Sequence, residues 1–146
     1  GTPDDVAALW AHLNDTVDCI ATDHAPHTLA EKQSDKVPPG VPGVETSLLL
    51  MLTAVSQNRL SLDRLVALMH TNPRRLFSLP EQPDTRVVVD LTPTIIRNDR
   101  LHSKCGWTPF AGMEVAGRIR QVFLRGHLVF EDGQLLATPG SGRILN

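Results

Sequence analysis

The feature that most constrains this fold is a single strand-like run, Val17-Asp18-Cys19-Ile20-Ala21-Thr22, standing alone between helical stretches. Before it, Thr2 followed by Pro3, Asp4 and Asp5 makes a helix start: a hydroxyl cap, proline at the first helical position and two acids at the positive end of the dipole. Val6, Leu9, Trp10 and Leu13 recur at helical spacing and predict an amphipathic helix over 3–14. After it, residues 45–56 are apolar nearly all round, as in a helix packed on both a sheet and its neighbours. Ser61 caps a further helix with Leu62, Leu65, Val66 and Met69 on one face, and Asn72-Pro73 opens a short third one with Asn72 as its cap. A parallel strand needs neighbours on both sides, so one strand among helices cannot build a sheet. The first 80 residues are therefore expected to complete a larger α/β structure supplied elsewhere. A start at Gly1 without methionine adds to the expectation of a fragment.

After Pro80 the pattern changes. "TRVVVDL" reads as a strand, residues 95–112 as mostly loop, and residues 117–136 as strands separated by Arg125-Gly126 and Asp132-Gly133 at turn positions. The expected division is residues 1–80 as an α/β portion and residues 81–146 as a small antiparallel β unit.

Composition removes several classes of function. The chain has 146 residues, 41% of them apolar, enough for a core, and its 14 basic residues are scattered over a net charge of −2. Nothing in that resembles the electrostatic footprint of a nucleic-acid binder. No apolar run approaches the roughly 18–20 residues that span a bilayer, and no signal-peptide layout opens the chain. Cys19 and Cys105 lie far apart in unrelated contexts, which points to reduced thiols and a cytoplasmic location.

The chemistry concentrates after the lone strand, in "ATDHAPHTLAEK". Period-two geometry sets Cys19, Ala21 and Asp23 on one side of the strand, so small residues end in a carboxylate. The mouth of a parallel sheet is where such enzymes bind ligands. His24 and His27 follow on a proline-stiffened turn, and carboxylate and imidazole serve as metal ligands, acids, bases or anion anchors. The alternative is that Asp23 caps a turn through nearby backbone while the histidines are ordinary loop residues. Spacing alone leaves both readings open. A metal also needs about three protein ligands, and no other tight His, Cys or Asp cluster occurs. From Asp23 to Gly43 the connection is long for a loop and ends in "VPPGVPG", as in a functional loop. Glu31 and Lys32 read as a solvated pair, His70 as a helix-end histidine meeting the dipole, and Arg74 and Arg75 as surface arginines. His102 and Lys104 suggest no chemistry, and "GWTPF" is expected to dock Trp107 and Phe110 into the β unit.

Together "ATDHAPHTLAEK", "PPGVPGVET", "LSLDRLVALMHTNPRRLF" and "WTPFAG" with "GRIRQVFLRGHLVFEDGQLL" closely resemble, in order and from Thr2 onward, the C-terminal part of dihydroorotases of the amidohydrolase superfamily. The likeness is to the form found in multifunctional pyrimidine-synthesis proteins and in many bacterial enzymes. Hydantoinases and allantoinases share the Asp-His beginning, and the second histidine, His27, separates the readings. The resemblance implies the end of a (β/α)₈ barrel, its last helix-strand-helix portion, plus the C-terminal share of a small β-sandwich, around a zinc centre. It implies Asp23 as metal ligand and proton carrier from the attacking water to the leaving ring nitrogen. It implies His27 on the substrate carboxylate and the Pro39-Gly40 backbone on the substrate ring. His24 receives no role. The other zinc ligands would belong to a region before Gly1, so the chain alone is expected to be inactive. The implied partners are dihydroorotate or carbamoyl-aspartate and the remainder of the same protein, with a second copy and aspartate transcarbamoylase as further candidates. A non-catalytic subunit that scaffolds aspartate transcarbamoylase is the alternative of a different class. It should have lost metal residues, and Asp23 is present.

Overall fold

A computed structural model describes residues 1–144; the last two residues of the expected 81–146 unit lie outside the described part. The first helix, α1, runs Pro3–His12. Its cap is reciprocal: Asp5 N donates to the Thr2 hydroxyl at 3.2 Å, and Thr2 N donates to the Asp5 carboxylate at 2.6 Å. A one-turn helix, α2, occupies Leu29–Lys32, and α3 covers Ser47–Ser56. Next come α4, Leu62–Val66, a wide π turn over Ala67–Thr71, and α5, Asn72–Leu76. No described helix is long and apolar enough to cross a membrane.

The lone strand is not formed within this chain. Residues 17–22 pair with no strand among the described residues, since a single strand-like run among helices has no neighbour there to pair with. Their polar backbone is instead met by the helices. Ile20 N donates to Leu68 O at 3.1 Å. Arg64 donates to Leu13 O at 3.0 Å and to Val17 O at 2.6 Å, and the Asn72 amide to Asp18 O at 2.8 Å.

Asn72 is therefore not the cap of a separate helix. The chain runs from α4 into α5 through the π turn, with Asn72 N reaching Ala67 O. Pro73 explains the widening: it has no N–H to give Met69 O and its ring crowds that carbonyl, so one turn opens to i→i+5 bonding. His70 accordingly sits in the middle of a helical run, exposed, rather than at a helix end.

The β unit forms as expected and reaches further. Strands β1 (Arg86–Ile95), β2 (Glu114–Leu124), β3 (His127–Glu131) and β4 (Gln134–Leu135) make one antiparallel sheet in the order β1-β2-β3-β4. β1 passes through Pro93, tolerated because this is an edge strand and its register shifts between Asp90 and Pro93. Both hairpin turns carry positive φ at both central residues: 51° and 80° at Arg125 and Gly126, 45° and 92° at Asp132 and Gly133. That is the turn whose twist suits adjacent antiparallel strands, and glycine takes the second position without strain. The Asp90 carboxyl, hydrogen-bonded by the Thr92 amide and hydroxyl beside the Arg118 guanidinium, is lowered to about 2.

The main core joins the two parts. Leu52, Ala54, Leu60, Leu65 and Leu68 are buried together, with Trp10, Leu13, Val17, Ile20 and Val89 of β1 packed against them. Thr53 of α3 accepts Ala116 N of β2 at 2.9 Å. Arg59 covers the Trp10 ring at 3.6 Å from its centroid, a cation–π contact that closes one side. Leu68 is completely buried (0% exposed) and also supplies the carbonyl that holds Ile20. Leu68→Ala in the complete protein is expected to cost about 2–5 kcal/mol in urea unfolding; a loss below about 1 kcal/mol would mean the site collapses around the smaller side chain.

Candidate functional site

Residues 23–27 leave the unpaired segment as a tight turn. Asp23 has φ of 45°, uncommon for a residue with a side chain, and is exposed. The turn-capping reading requires its carboxylate to accept a nearby backbone N–H. Among the described residues no hydrogen bond to that carboxylate is found; the turn is closed instead by His27 N donating to Ala25 O at 2.9 Å across Pro26. The carboxylate is thus presented outward with its acceptor capacity unused.

His24, which the sequence left without a role, is the fastener of the site. Its Nδ1 accepts Gly43 N at 3.1 Å and Val44 N at 3.3 Å, which places the proton of the neutral ring on Nε2. His24 also bridges in parallel to Val41, with Ala25 N donating to Val41 O at 3.1 Å. The turn and the proline-glycine loop are therefore laid side by side. Gly40 has φ of 85°, and a Cβ there would stand 2.6 Å from Ala25 Cβ, so only glycine lets the two backbones lie this close.

α2 secures the other end of that loop. Thr28 and Glu31 form a capping box: Thr28 N and hydroxyl donate to Glu31 Oε2 at 2.7 and 2.9 Å, and Glu31 N returns to the Thr28 hydroxyl at 3.2 Å. These bonds, chiefly that from the Thr28 amide, hold the Glu31 carboxyl below its ordinary value. Being depressed in the folded state, it stabilises fully above the ordinary glutamate range, and this contribution is lost as pH falls through the lowered value. Lys32 Nζ donates to Pro38 O at 2.7 Å and Gly40 O at 2.9 Å. Glu31 and Lys32 are thus not the solvated pair expected from sequence, because each has a closer backbone partner. His27 is half-buried, its Nδ1 4.0 Å from Glu31 Oε2.

A third segment completes the arrangement. Glu45, just before α3, accepts His102 N at 2.7 Å and Ser103 N at 2.6 Å, while His102 reaches Glu45 with Nδ1 at 3.2 Å and Gly133 O with Nε2 at 3.1 Å. Trp107 Nε1 donates to His27 O at 2.7 Å. This corrects two expectations: Trp107 bonds to the histidine turn rather than serving only the β unit, and His102 is a junction rather than a bystander. The signal for His102 was out of reach of sequence spacing, since its partner lies 57 positions away. His24, Gly43, Glu45, Ser103 and Trp107 line a small cleft where these segments meet.

The residues singled out in sequence fall into two groups. Asp23, His24, His27, Pro39 and Gly40 come together on the turn and the loop fastened to it. Arg74 lies elsewhere, paired with Glu81 at 2.9 Å. Both cysteines are free. Among the described residues no group of three His, Cys, Asp or Glu side chains could hold a metal ion. A single outward carboxylate is short of the roughly three protein ligands that a catalytic metal needs.

No family model matches the chain. In sequence it is 54% identical over 143 residues, 97% of its length, to the multifunctional protein pyr1-3 of Dictyostelium discoideum, of which it spans 6%. It is 36% identical over 149 residues to the dihydroorotase of Pyrococcus furiosus, covering 97% of this chain and 35% of that protein. In structure it matches an L-hydantoinase (dihydropyrimidinase) from Arthrobacter aurescens with a TM-score of 0.86 at 31% identity, over 93% of this chain and 34% of the other. It also matches the inactive dihydroorotase-like domain of a Chaetomium thermophilum CAD-like multifunctional protein, TM-score 0.76 at 29% identity, over 94% and 39%. The chain thus spans 35% or less of these two sequence relatives, and its α/β fold corresponds to part of an amidohydrolase.

The site geometry is testable without any ligand. Lys32→Met leaves the Pro38 and Gly40 carbonyls unheld, and hydrogen exchange at the Ala25 amide, which reports the turn-loop bridge, is expected to accelerate about tenfold. Unchanged exchange would mean that the His24 contacts hold the loop unaided.

Proposed function

From its relationship to the dihydroorotases, we propose that this chain is the C-terminal segment of a zinc-dependent dihydroorotase, interconverting N-carbamoyl-L-aspartate and dihydroorotate in pyrimidine synthesis. The observation that carries the reading is the free, outward Asp23 carboxylate four residues before His27, on a turn fastened to a proline-glycine loop. In this reading residues 1–80 end a (β/α)₈ barrel whose other strands flank residues 17–22, and residues 81–146 are the C-terminal share of a β-sandwich. The chain alone is inactive, and its first partner is the rest of the same protein, in the cytoplasm. A second copy of the whole protein and aspartate transcarbamoylase are further partners consistent with the multifunctional relatives.

The reaction opens or closes a cyclic amide. Zinc, when bound, supplies a nucleophile at neutral pH by lowering the pKa of a water to about 7. Asp23 would be one of its ligands. The same carboxylate, with no other hydrogen bond to break, receives a proton as the amide carbonyl is attacked and returns it to the ring nitrogen as that nitrogen leaves. In the synthetic direction the transfers run in reverse. His27 holds the substrate carboxylate with a charge-assisted hydrogen bond. The Pro39-Gly40 backbone lies against the ring. Lys32 draws the Pro38 and Gly40 carbonyls toward itself, leaving the opposite side of this loop for the substrate.

In the complete protein, Asp23→Ala is expected to reduce kcat by about 10²–10⁴-fold, and near-normal turnover would remove it from the chemistry. His27→Ala should raise KM for dihydroorotate by about ten- to a hundredfold while affecting kcat less. Equal turnover of a hydantoin lacking the carboxylate would instead mark a hydantoinase, and full activity loss without any bound metal in the intact protein would mark a non-catalytic subunit.

A further inference from the structure

We infer that Trp107 is a positioning residue for substrate carboxylate recognition, acting through the backbone of His27; this rests on the reading of His27 given above. The bond is direct. Trp107 Nε1 donates to His27 O at 2.7 Å from a half-buried indole 80 positions away. His27 N is itself spent on Ala25 O, so the peptide units on both sides of the histidine Cα are fixed. With those two bonds in place, the direction of the Cα–Cβ bond, and therefore where the imidazole can reach, is set before any substrate arrives.

The segment that carries the indole is anchored independently. Its start is tied by the two backbone amides of His102 and Ser103 to the Glu45 carboxylate, and Thr108 N donates to the Asn98 amide oxygen at 3.1 Å. Thr108 is buried. Residues 101–108 thus form a strap from the β unit across the cleft, with Trp107 as its point of contact on the turn. On the imidazole side, Glu31 Oε2 lies 4.0 Å from His27 Nδ1 and biases the ring without a close hydrogen bond. The ring's remaining order comes from the backbone, which is the part Trp107 controls. Hydrogen bonding to a backbone carbonyl is indifferent to the imidazole itself, so its effect on binding should exist only while the imidazole is there to be aimed.

The test uses the complete enzyme and a double-mutant cycle on KM for dihydroorotate. Trp107→Phe keeps an aromatic ring and removes the N–H. It is expected to raise KM about three- to tenfold with kcat within about twofold, and to add nothing further in a His27→Ala background. Trp107→His, which restores an N–H on a ring, should recover part of the lost affinity. If His27→Ala itself leaves KM unchanged, the assignment of His27 falls and the inference with it. If His27→Ala raises KM but Trp107→Phe does not, or adds its full effect on top of His27→Ala, Trp107 merely packs and the inference is overturned while the proposed function stands. Should Trp107→Phe fail to fold, Glu45→Gln reads the same coupling from the other end of the strap. A KM rise that vanishes in the His27→Ala background supports positioning, and an unchanged or fully additive KM refutes it.

Discussion

Two backbone amides, Gly43 N and Val44 N, donated to one imidazole nitrogen, His24 Nδ1, fix the relation on which the rest of the site depends. Through them the turn that presents Asp23 and His27 is attached to the residues that lead into α3. Thr46 N and Ser47 N both bond to Gly43 O, so the helix begins where the histidine holds the chain. α3 in turn receives Ala116 N of β2 on Thr53. One imidazole therefore connects the candidate site to the helix and, through it, to the sheet. The tautomer follows from the same geometry: a protonated Nδ1 would face two donors and lose both.

The segment before the turn illustrates how a chain meets backbone polarity when no strand pairs with it. Buried or half-buried carbonyls need partners. Leu13 O and Val17 O receive theirs from Arg64, and the more exposed Asp18 O is met by Asn72, both on the helical run that follows. The π turn at Ala67–Thr71 sits within that run, between Arg64 and Asn72. A proline that breaks regular helix bonding is thus accommodated by one wide turn, leaving Asn72 free to reach the unpaired segment.

Much of this was legible in the residues. The Thr2 and Ser61 caps and the two hairpin turns were readable because each is local: a cap or turn depends on residues within four positions; of the face expected from Leu62, Leu65 is buried while Leu62 and Val66 are exposed. The long loop after Asp23 was also recognisable, from its prolines and glycines. Harder to see were the roles of His24, Glu45, Lys32, His102 and Trp107. Lys32 and Glu31 look like an exposed ion pair because adjacent opposite charges usually are one, but a capping box and two loop carbonyls outcompete that pairing. Glu45 and His102, and likewise Trp107 and His27, meet only after the β unit folds back over the helices.

By itself the sequence determined the local elements, the apolar faces that must pack together, the composition of the Asp23–Gly43 segment and the kinship of that segment to cyclic amidohydrolases. The elements and faces follow from short-range rules of capping, periodicity and turn chemistry, which act within a few residues, whereas the kinship rests on the resemblance of its motifs alone. Only the tertiary structure decided that the Asp23 carboxylate is left free, that His24 spends its ring nitrogen on the proline-glycine loop, and that Trp107 holds the carbonyl of His27. Hydrogen-bond partners 19 and 80 positions apart are set by how packed elements bring their backbones together, and no local pattern encodes which donor arrives at which acceptor.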